Sequence, residues 1–519
     1  MKTPARPGRG RDRGRDLGRG LGRGRVALPS LGAGVLLALS LPPFGWWPLG
    51  LAGAGLLYWR LTGLRARTRF WSGWLAGQGC YAIGLVWAQA FNWYGAVILI
   101  ALEALFFAAA AVLTPPWRGR APAFVAAGTL AEAVRMTWPF GGLPIGGVFL
   151  GQADGPLVQL ARIGGPLLLT AAVWAGGVGV ATLVCGLRRS PLRGAPTALR
   201  GAVILVGLAL LIVVGALAPD GGAPLRSVRV AIVQGGGRRG LDKEQVSPST
   251  VFAAQVKATR LLGTRSPSPV LVLWPEDVIS LSRPLRGSPQ DALMTQTARR
   301  LHTTLIAGVT QPASLTTFLN EIVVWAPDGR IVGTFEKVHR VPFGEYVPYR
   351  SFISHLADLS GVPTDAVPGH GTGLLRTPVG PLGTLVSFEV FYASRSRTSV
   401  RAGAQLLIVP TNTSSYSTGQ IPTQEVAADA IQAVETGRDL VQAAPTGYSS
   451  VVDPRGRVLQ RSTLGPPQVL TATVPLRRGF TFYDHVGDLP FLLFAVAALG
   501  AGWMRQRRAT RHSRPSRHS

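Results

Sequence analysis

The stretch TFEKVHRVPFGEYVP, from Thr334 to Pro348, is the most informative part of this 519-residue chain. Its lysine, Lys337, is one of only four lysines among 53 basic residues, so the chain uses arginine wherever a generic cation is sufficient. A lysine kept at this position indicates that a compact ammonium group is needed there, for instance to stabilise a tetrahedral oxyanion. We therefore predict that Lys337 is a functional residue rather than half of a surface salt bridge.

Two other segments carry candidate partners for this lysine. Glu276 lies in LVLWPEDV, at the end of an apolar strand, where partial desolvation would raise the pKa of its carboxyl group and make it a base. Ser387, in TLVSFEVF, is a candidate nucleophile, although a serine hydroxyl is weak without a well-aligned base. Glu345 and Glu389 are candidate supporting residues. Glu389 would point to the same side as Ser387 if that strand continues.

The composition places much of the chain in a membrane. It is 47% hydrophobic and only 15% charged, against about 25% charged in a typical soluble domain. The apolar residues form long runs, which approach or exceed the roughly 20 residues needed to cross a bilayer. The sequence predicts seven spans before residue 219 and an eighth near the end, at 26–44, 46–62, 70–90, 93–114, 121–136, 160–187, 199–218 and 488–504.

Arginine residues orient these spans. They crowd the N-terminal tail, every second connection and the segment after the last span, as the positive-inside rule requires. Both termini are therefore predicted to be cytoplasmic, and the large domain between the last two spans extracytoplasmic. The predicted domains are a disordered basic tail at 1–25, a membrane domain at 26–218, an external domain at 228–475, a C-terminal span at 488–504 and a basic tail at 505–519.

The net charge of +28 does not indicate nucleic-acid binding. Much of the excess lies in tails and short loops, where topology explains it, and no base-stacking or groove-reading motif accompanies it. Cys80 and Cys185 both fall within predicted spans, so the external domain has neither a disulfide framework nor a spare thiol. Its histidines show no spacing typical of a metal site.

The external domain alternates strand-like and helical patterns. Short apolar runs predict strands, helical periodicity predicts helices between them, and Asp328-Gly329 and Arg455-Gly456 predict hairpin turns. Such an alternation is typical of a layered α/β domain. The predicted strands are 228–235, 270–274, 305–309, 322–325, 382–387 and 406–409, and the predicted helices are 248–262, 289–302 and 421–437.

An ordered set of motifs resembles the apolipoprotein N-acyltransferase family, a membrane branch of the nitrilase superfamily. The set covers most of the chain, and its order together with the number of flanking spans is more specific than any one motif. The motifs are LSLPPFGWWPLG at 39–50, AEAVRMTWPFGGLPIGG at 131–147, AIVQG at 231–235, WPED at 274–277, EKVHRVPFGEYVP at 336–348, SFEVF at 387–391 and AVETGRDLVQAAPTGYSSVVDPRGRV at 433–458.

The resemblance implies a multi-pass α-helical membrane domain carrying an extracytoplasmic, nitrilase-like α-β-β-α sandwich in the cell membrane. It implies an acyltransferase that moves an acyl chain from phospholipid to the N-terminal cysteine of a diacylglyceryl-modified apolipoprotein, through a covalent acyl-enzyme. Ser387 would be the nucleophile, Glu276 the base and Lys337 the oxyanion stabiliser, with Glu345 supporting them. The resemblance implies no metal and no organic cofactor.

The chain departs from the family around the nucleophile. Ser387 stands where the family has cysteine, Phe388 stands where it often has tyrosine, and PTNTSSYSTG at 410–419 replaces an asparagine-rich aromatic loop. These departures leave three alternatives: a serine-using acyltransferase, a related enzyme with another substrate, or a catalytically silent homologue. A silent homologue would act as a membrane scaffold, for example for a polyprenol-phosphate mannosyltransferase.

Overall fold

The N-terminal part of the chain is a bundle of helices. The structure is a computed structural model that describes residues 13–90, 92–237, 246–263, 268–355, 358–414 and 419–512. Each of the seven segments predicted as a span before residue 219 contains a helix. These helices are α1 (Arg13–Ser40), α2 (Pro48–Arg60), α3 (Ala66–Gly84), α4 (Trp93–Leu113), α5 (Arg120–Arg135), α6 (Ala161–Leu187) and α7 (Pro191–Leu217).

Not every helix meets the length and hydropathy of a membrane span. Within the part of the chain that the structure describes, four do, namely Trp93–Leu113, Pro156–Leu187, Arg193–Leu217 and Leu489–Arg511. Within α1 the apolar part is short, Ala27–Ser40. Helices α2, α3 and α5 have only 13, 19 and 16 residues, against the roughly 20 residues that a helix perpendicular to the bilayer needs.

Helix α1 corrects one predicted boundary. The sequence predicted that residues 1–25 form a disordered tail, but the structure has residues 13–25 continuing the helix that ends at Ser40. Each residue added to an existing helix gains a hydrogen bond at low cost, so the apolar part of α1 can extend into this segment although five of its thirteen residues are glycine, a poor helix former. The first twelve residues lie outside the described part of the chain.

Two β-sheets form the centre of the second domain. Its strands are β1 (Arg226–Gln234), β2 (Leu271–Leu273), β3 (Ile279–Ser280), β4 (Thr304–Pro312), β5 (Thr317–Trp325), β6 (Ile331–Glu336), β7 (Asp365–Ala366), β8 (Leu374–Thr377), β9 (Gly380–Thr384), β10 (Leu406–Pro410), β11 (Leu440–Ala443), β12 (Ser450–Val452), β13 (Val458–Arg461) and β14 (Gln468–Leu476). One sheet runs β14-β1-β2-β4-β5-β6, with β3 and β7 attached to β4 and β5, and the other runs β13-β12-β11-β10-β9-β8. In each sheet the central strands are parallel, β1-β2-β4 in one and β9-β10-β11 in the other.

The helices of this part of the chain are α8 (Pro248–Thr259), α9 (Pro289–Leu301), α10 (Arg350–Ile353), α11 (Ala393–Arg401), α12 (Gln420–Thr436), α13 (Phe482–Val486) and α14 (Leu489–His512). Helices α8 and α9 pack against the first sheet, and α11 and α12 pack against the second. Apolar side chains such as Ile306 and Ile408 fill the space between the sheets. Another core joins Trp274 on the first sheet to Met294 on α9. The predicted α-β-β-α sandwich is therefore confirmed.

Helix α12 forms the helical layer between the second sheet and the membrane bundle. Residues of α12 pack in one continuous core with residues of α6 and β10. Hydrogen bonds join the two domains here. Gln424 accepts from the backbone N–H of Gly146 at 2.8 Å and donates to the carbonyl of Gly84 at 3.1 Å. Helix α12 is therefore buried on both sides.

The predicted strands and helices of this domain are confirmed, with one correction. Both predicted hairpin turns join antiparallel neighbours, β5-β6 and β12-β13. The strand predicted at 382–387 ends at Thr384, and a 3₁₀ turn follows at Ser387–Phe391. The apolar run continues through Val386, but the backbone turns sharply at Ser387, where φ is +49°.

Candidate active site

Glu276 is held at the carboxyl end of β2 by a close approach of two backbones. The N–H of Gly308, on β4, donates to the carbonyl of Pro275 at 3.0 Å. A Cβ at position 308 would lie 2.4 Å from the Cα of Glu276, so only glycine fits there. Asp277 has a positive φ of +53° and accepts a hydrogen bond from Thr310 Oγ1 at 2.7 Å. These contacts fix a buried carboxylate at the end of the strand.

Lys337 follows β6 and lies between two carboxylates. Its Nζ donates to Glu276 Oε1 at 2.9 Å and to Glu345 Oε1 at 2.7 Å. Asn320 Nδ2 donates to the same two oxygens, at 2.9 Å and 3.1 Å. The lysine is 2% exposed and Glu276 is 4% exposed. The structure thus brings the predicted base, the predicted oxyanion stabiliser and one predicted supporting residue into a single buried cluster.

Burial and neighbouring charges set the ionisation of this cluster. Burial raises the pKa of Glu276, Lys337 opposes the rise, and the charge of Glu345 adds to it, so the net shift is upward. Burial also disfavours the charged form of Lys337, but the two carboxylates outweigh it and the lysine pKa is raised. Lys337 therefore stays cationic at neutral pH, while Glu276 can gain or lose a proton more easily than an exposed glutamate.

Glu345 connects this cluster to the loop that carries Lys337. Its Oε1 contacts the lysine, and its Oε2 accepts the backbone N–H of Val341 at 2.8 Å. The carboxylate therefore fixes both the loop and the ammonium group that the loop presents.

Ser387 lies at the carboxyl end of β9, on the other sheet. It is partly exposed and has the positive φ that L-residues rarely adopt, a strain that concentrates at functional sites. Its Oγ accepts a hydrogen bond from Thr411 Oγ1 at 3.1 Å. Among the described residues, Lys337 donates hydrogen bonds to Glu276 and Glu345, whereas Ser387 is hydrogen-bonded to Thr411.

Comparisons with known proteins identify the family. The family model for the apolipoprotein N-acyltransferase N-terminal domain matches residues 33–179, and the carbon-nitrogen hydrolase model matches residues 229–479. The chain is 32% identical to the apolipoprotein N-acyltransferase of Mycolicibacterium smegmatis over 507 residues, covering 91% of this chain and 83% of that protein. It is 32% identical to that of Azotobacter vinelandii over 516 residues, covering 92% and 95%. The chain belongs to the apolipoprotein N-acyltransferase family.

The family places this protein among acyltransferases with a nitrilase-like domain, as the sequence predicted. All five predicted site residues lie inside the carbon-nitrogen hydrolase match. Among solved structures, an amidase from Nesterenkonia sp. is 21% identical, with a TM-score of 0.36 over 52% of this chain and 98% of the amidase.

Glu389 supports the site in a different way from the one predicted. The prediction placed it beside Ser387 on a continuing strand, but the strand ends before Ser387. Its Oε1 accepts the backbone N–H groups of Val338 and His339 at 3.0 Å and 3.1 Å, and its Oε2 accepts that of Val386 at 2.9 Å. This fully buried carboxylate thus joins the segment after Lys337 to the turn that carries the serine.

Glu389→Ala is expected to destabilise the protein by several kcal/mol. It would leave three backbone donors without their acceptor, and each unsatisfied buried donor costs about 1–3 kcal/mol. Thermal unfolding of the purified protein in detergent, followed by tryptophan fluorescence, would measure the change.

Glu336→Ala is the matched control, because this partly exposed carboxylate lies one residue before Lys337. A surface change of this kind stays within roughly 0.5 kcal/mol of the parent. Equal unfolding temperatures for the two variants would contradict the role assigned to Glu389.

Sequence patterns missed four residues that shape the site: Gly308, Asn320, Thr411 and Glu425. Asn320 and the adjacent Glu321 are polar residues flanked by apolar ones on β5, and that signal could have drawn attention to Asn320. Glu425 is an acidic residue on a helix that is buried throughout, but its burial becomes visible only when the two domains are packed together. Gly308 and Thr411 carry no comparable signal in the sequence.

Proposed function

We propose that this protein transfers an acyl chain from a membrane phospholipid to the α-amino group of the lipid-modified N-terminal cysteine of an apolipoprotein. The family membership gives the acyltransferase class, and its relatives are named apolipoprotein N-acyltransferase. The observation that carries the proposal is the buried Glu276–Lys337–Glu345 cluster inside the matched hydrolase domain.

In the first step Ser387 attacks the ester carbonyl of the phospholipid. A bond forms between its Oγ and the carbonyl carbon, and the hydroxyl proton of the serine passes to a base in the site. The bond from that carbon to the lysophospholipid oxygen then breaks, and the oxygen leaves with a proton from Glu276. The Nζ of Lys337 stabilises the negative charge on the tetrahedral intermediate, since a buried cation interacts more strongly with it than one in water. The product of this step is an oxyester on Ser387.

In the second step the amine of the acceptor attacks this oxyester. An amide bond forms and the ester bond to Ser387 breaks. The serine oxygen recovers the proton it lost in the first step, and Glu276 acts as the base that takes one proton from the amine. Both observed hydrogen bonds of Glu276 fall on Oε1, so Oε2 is the atom that would exchange this proton.

The same cluster argues against a silent scaffold. Burying a cation with two carboxylates rarely stabilises a fold more than apolar side chains of the same volume would. A protein without chemistry at this site gains little from such a charged group, whereas an oxyanion intermediate requires one.

A cluster of exposed aromatic residues supports a lipid donor. The ring of Phe140, in the loop after α5, lies 6.2 Å from that of Phe343 and 6.0 Å from that of Tyr349, both in the segment after Lys337. Phe343 is 53% exposed and Tyr349 is 75% exposed. Exposed apolar groups beside a membrane domain are typical of a surface that contacts lipid. We propose that the acyl chain approaches Lys337 across this cluster.

The arginine distribution supports an orientation for the whole chain. We propose that both termini are cytoplasmic, that residues 26–218 and 488–504 form the membrane domain, and that the catalytic domain at 228–475 is extracytoplasmic. In that arrangement the aromatic cluster lies at the outer surface of the membrane.

An assay with defined substrates tests the proposal. Purified protein incubated with acyl-labelled phospholipid and a diacylated lipopeptide should produce a lipopeptide with a third, amide-linked acyl chain, detected by mass spectrometry. A lipopeptide with an acetylated N-terminus is the control and should stay unmodified. Absence of product, while the Azotobacter vinelandii relative is active in the same assay, would contradict the proposal.

A further inference from the structure

A buried acidic residue lies behind the nucleophile. Thr411 immediately follows β10, is fully buried, and contacts Ser387 Oγ through its Oγ1 at 3.1 Å. The same Oγ1 contacts Glu425 Oε1 at 2.5 Å. Glu425 lies on α12 and is 1% exposed. Three oxygen atoms on three elements therefore form a continuous chain from the partly exposed serine to a buried carboxyl group.

The valence of the hydroxyl groups restricts how this chain can be bonded. A threonine hydroxyl has one proton to donate, so Thr411 cannot donate to both neighbours at once. If Glu425 is ionised, Ser387 donates to Thr411 and Thr411 donates to Glu425. If Glu425 is protonated, it donates to Thr411, which then donates to Ser387. In the structure Thr411 Oγ1 has the geometry of a donor in both contacts, so one of the two hydrogen bonds must reverse with the charge of Glu425. Only the first arrangement releases the serine proton as the serine attacks.

Glu425 has spare capacity for a proton. Among the residues that the structure describes, its Oε2 is buried and has no hydrogen-bond partner. A buried polar atom without a partner is uncommon in folded proteins and calls for an explanation, such as a catalytic role.

We propose that Thr411 and Glu425 form a proton relay that accepts the hydroxyl proton of Ser387 during acylation. This inference rests on the proposed function, in which Ser387 is the nucleophile. Thr411 contacts the reacting oxygen, whereas Glu425 acts through Thr411 and is a positioning residue. The relay supplies the alignment that a serine needs and a more acidic thiol does not.

The relay balances the protons of both steps. As the serine oxygen bonds to the ester carbonyl, its proton passes to Thr411 Oγ1 and the threonine proton passes to Glu425 Oε1. Glu276 gives a proton to the departing lysophospholipid oxygen. When the amine attacks, Glu276 regains a proton from the amine nitrogen, and Glu425 returns its proton through Thr411 to the serine oxygen.

The environment of Glu425 suits this exchange. The pKa of its carboxyl group is raised to about 8, mainly because the group is buried. The hydrogen bond from Thr411 opposes this rise, the charge of Glu276 adds to it, and Lys337 opposes it. Asp429, one helical turn further along α12, is the other acidic group close enough to interact with it. Because the ionised form of Glu425 accepts the proton, acylation of Ser387 should accelerate as the pH rises towards this pKa.

The rate of acyl-enzyme formation in two backgrounds tests the relay. Labelled phospholipid is mixed with the full-length protein in detergent, and the adduct is followed by intact mass from acidic to alkaline pH. In the parent, Glu425→Gln should lower the acylation rate about 100-fold or more and remove the alkaline rise. In a Ser387→Cys background, the same change should lower the rate about threefold or less, because a thiol ionises without the relay.

Two further comparisons separate the relay from a structural role. Thr411→Ser keeps the hydroxyl and should retain the pH profile, whereas Thr411→Val should lose it. Glu435→Gln removes another buried carboxyl group on α12, one that Ser396 contacts at 2.9 Å, and should leave acylation unchanged. If Glu425→Gln fails to fold, the two Thr411 variants carry the test.

The outcomes distinguish the relay from the function on which it rests. Equal losses in the serine and cysteine backgrounds, or an unchanged pH profile, would overturn the relay while leaving the acyltransferase intact. An adduct on Ser387→Cys with none on the parent would also overturn the relay but keep the phospholipid site. No adduct on either protein would overturn both.

Discussion

Lys337→Met is expected to lower the rate of acyl transfer by about 1,000-fold or more, since removing one preorganised oxyanion donor costs roughly 100- to 1,000-fold and this donor also carries charge. Methionine matches the length of the lysine but has neither a charge nor a donor. The change also leaves the buried Glu276 and the partly buried Glu345 without their cation. Breaking a buried ion pair in this way costs about 3–5 kcal/mol. Product formation by mass spectrometry and thermal unfolding in detergent would measure the two effects.

The stability loss should depend on pH. Without Lys337, nothing of comparable strength opposes the rise in the pKa of Glu276 that burial causes. The folded state then binds more protons than the unfolded state at pH values between the unfolded and folded pKa. Stability is therefore greatest below the unfolded pKa and falls as the pH rises through the folded one. We expect the deficit relative to the parent to be larger at about pH 8 than at about pH 5.5.

Lys257→Met is the matched control, because it removes an exposed lysine from α8 in the same domain. Lys337→Arg keeps the positive charge but replaces a compact ammonium with a planar fork, so it should also be inactive. Full activity of Lys337→Met, or a stability deficit that grows towards acid pH, would contradict the role assigned to the lysine.

The helices and strands could be predicted largely because their patterns are local. Apolar runs and periodicity located the seven N-terminal helices and the central strands, although α7 starts eight residues before the predicted span and β5 starts five residues before the predicted strand. The largest discrepancy is the start of α1, which extends thirteen residues into a segment that composition alone assigned to a disordered tail. Hydropathy cannot decide whether α2, α3 and α5 cross the bilayer, because packing against neighbouring helices compensates for a short apolar segment.

The site was predictable to the extent that each residue lies within a recognisable motif. Glu276, Lys337 and Glu345 lie in two such motifs, and the structure places them in mutual contact. The strand geometry on which the prediction for Glu389 rested is wrong, because the backbone turns before it, and its role in the site stays a prediction. Whether these residues act in catalysis remains a prediction that the variants above test.

Glu425 and Thr411 could not be predicted because the role proposed for them depends on tertiary contacts. They are 14 positions apart in sequence, and neither is near Ser387 along the chain. The contact requires β9 and β10 to be adjacent parallel strands, with α12 packed over their carboxyl ends. Sequence spacing carries no information on such an arrangement.

Ser387→Ala is expected to abolish formation of the acyl-enzyme and to lower turnover on the order of 10⁴- to 10⁶-fold, as loss of a nucleophile does in other covalent catalysts. Serine and alanine differ by one oxygen, and that oxygen bonds only to the Thr411 hydroxyl among the described residues, so the fold should tolerate the change. In the parent, the trapped acyl group should map by tandem mass spectrometry to the peptide that carries Ser387. Unchanged turnover in the alanine variant would mean that the serine is not the nucleophile.

Ser387→Cys distinguishes two explanations for a parent protein that forms no adduct: a nucleophile that is too weak, and a site that does not accept phospholipid. A thiol with a pKa near about 8.5 forms a thiolate far more readily than a serine hydroxyl forms an alkoxide. The buried Glu276–Lys337–Glu345 cluster is unaltered by this substitution, so the oxyanion stabiliser remains in place. We therefore expect a thioester adduct that hydroxylamine cleaves at neutral pH, whereas the oxyester of the parent resists it. A folded Ser387→Cys protein that gains no acyl mass from phospholipid would show that the pocket does not position an ester carbonyl. The proposed acyl donor would then be wrong, because neither the weak serine nor the missing thiol could account for the lack of reaction.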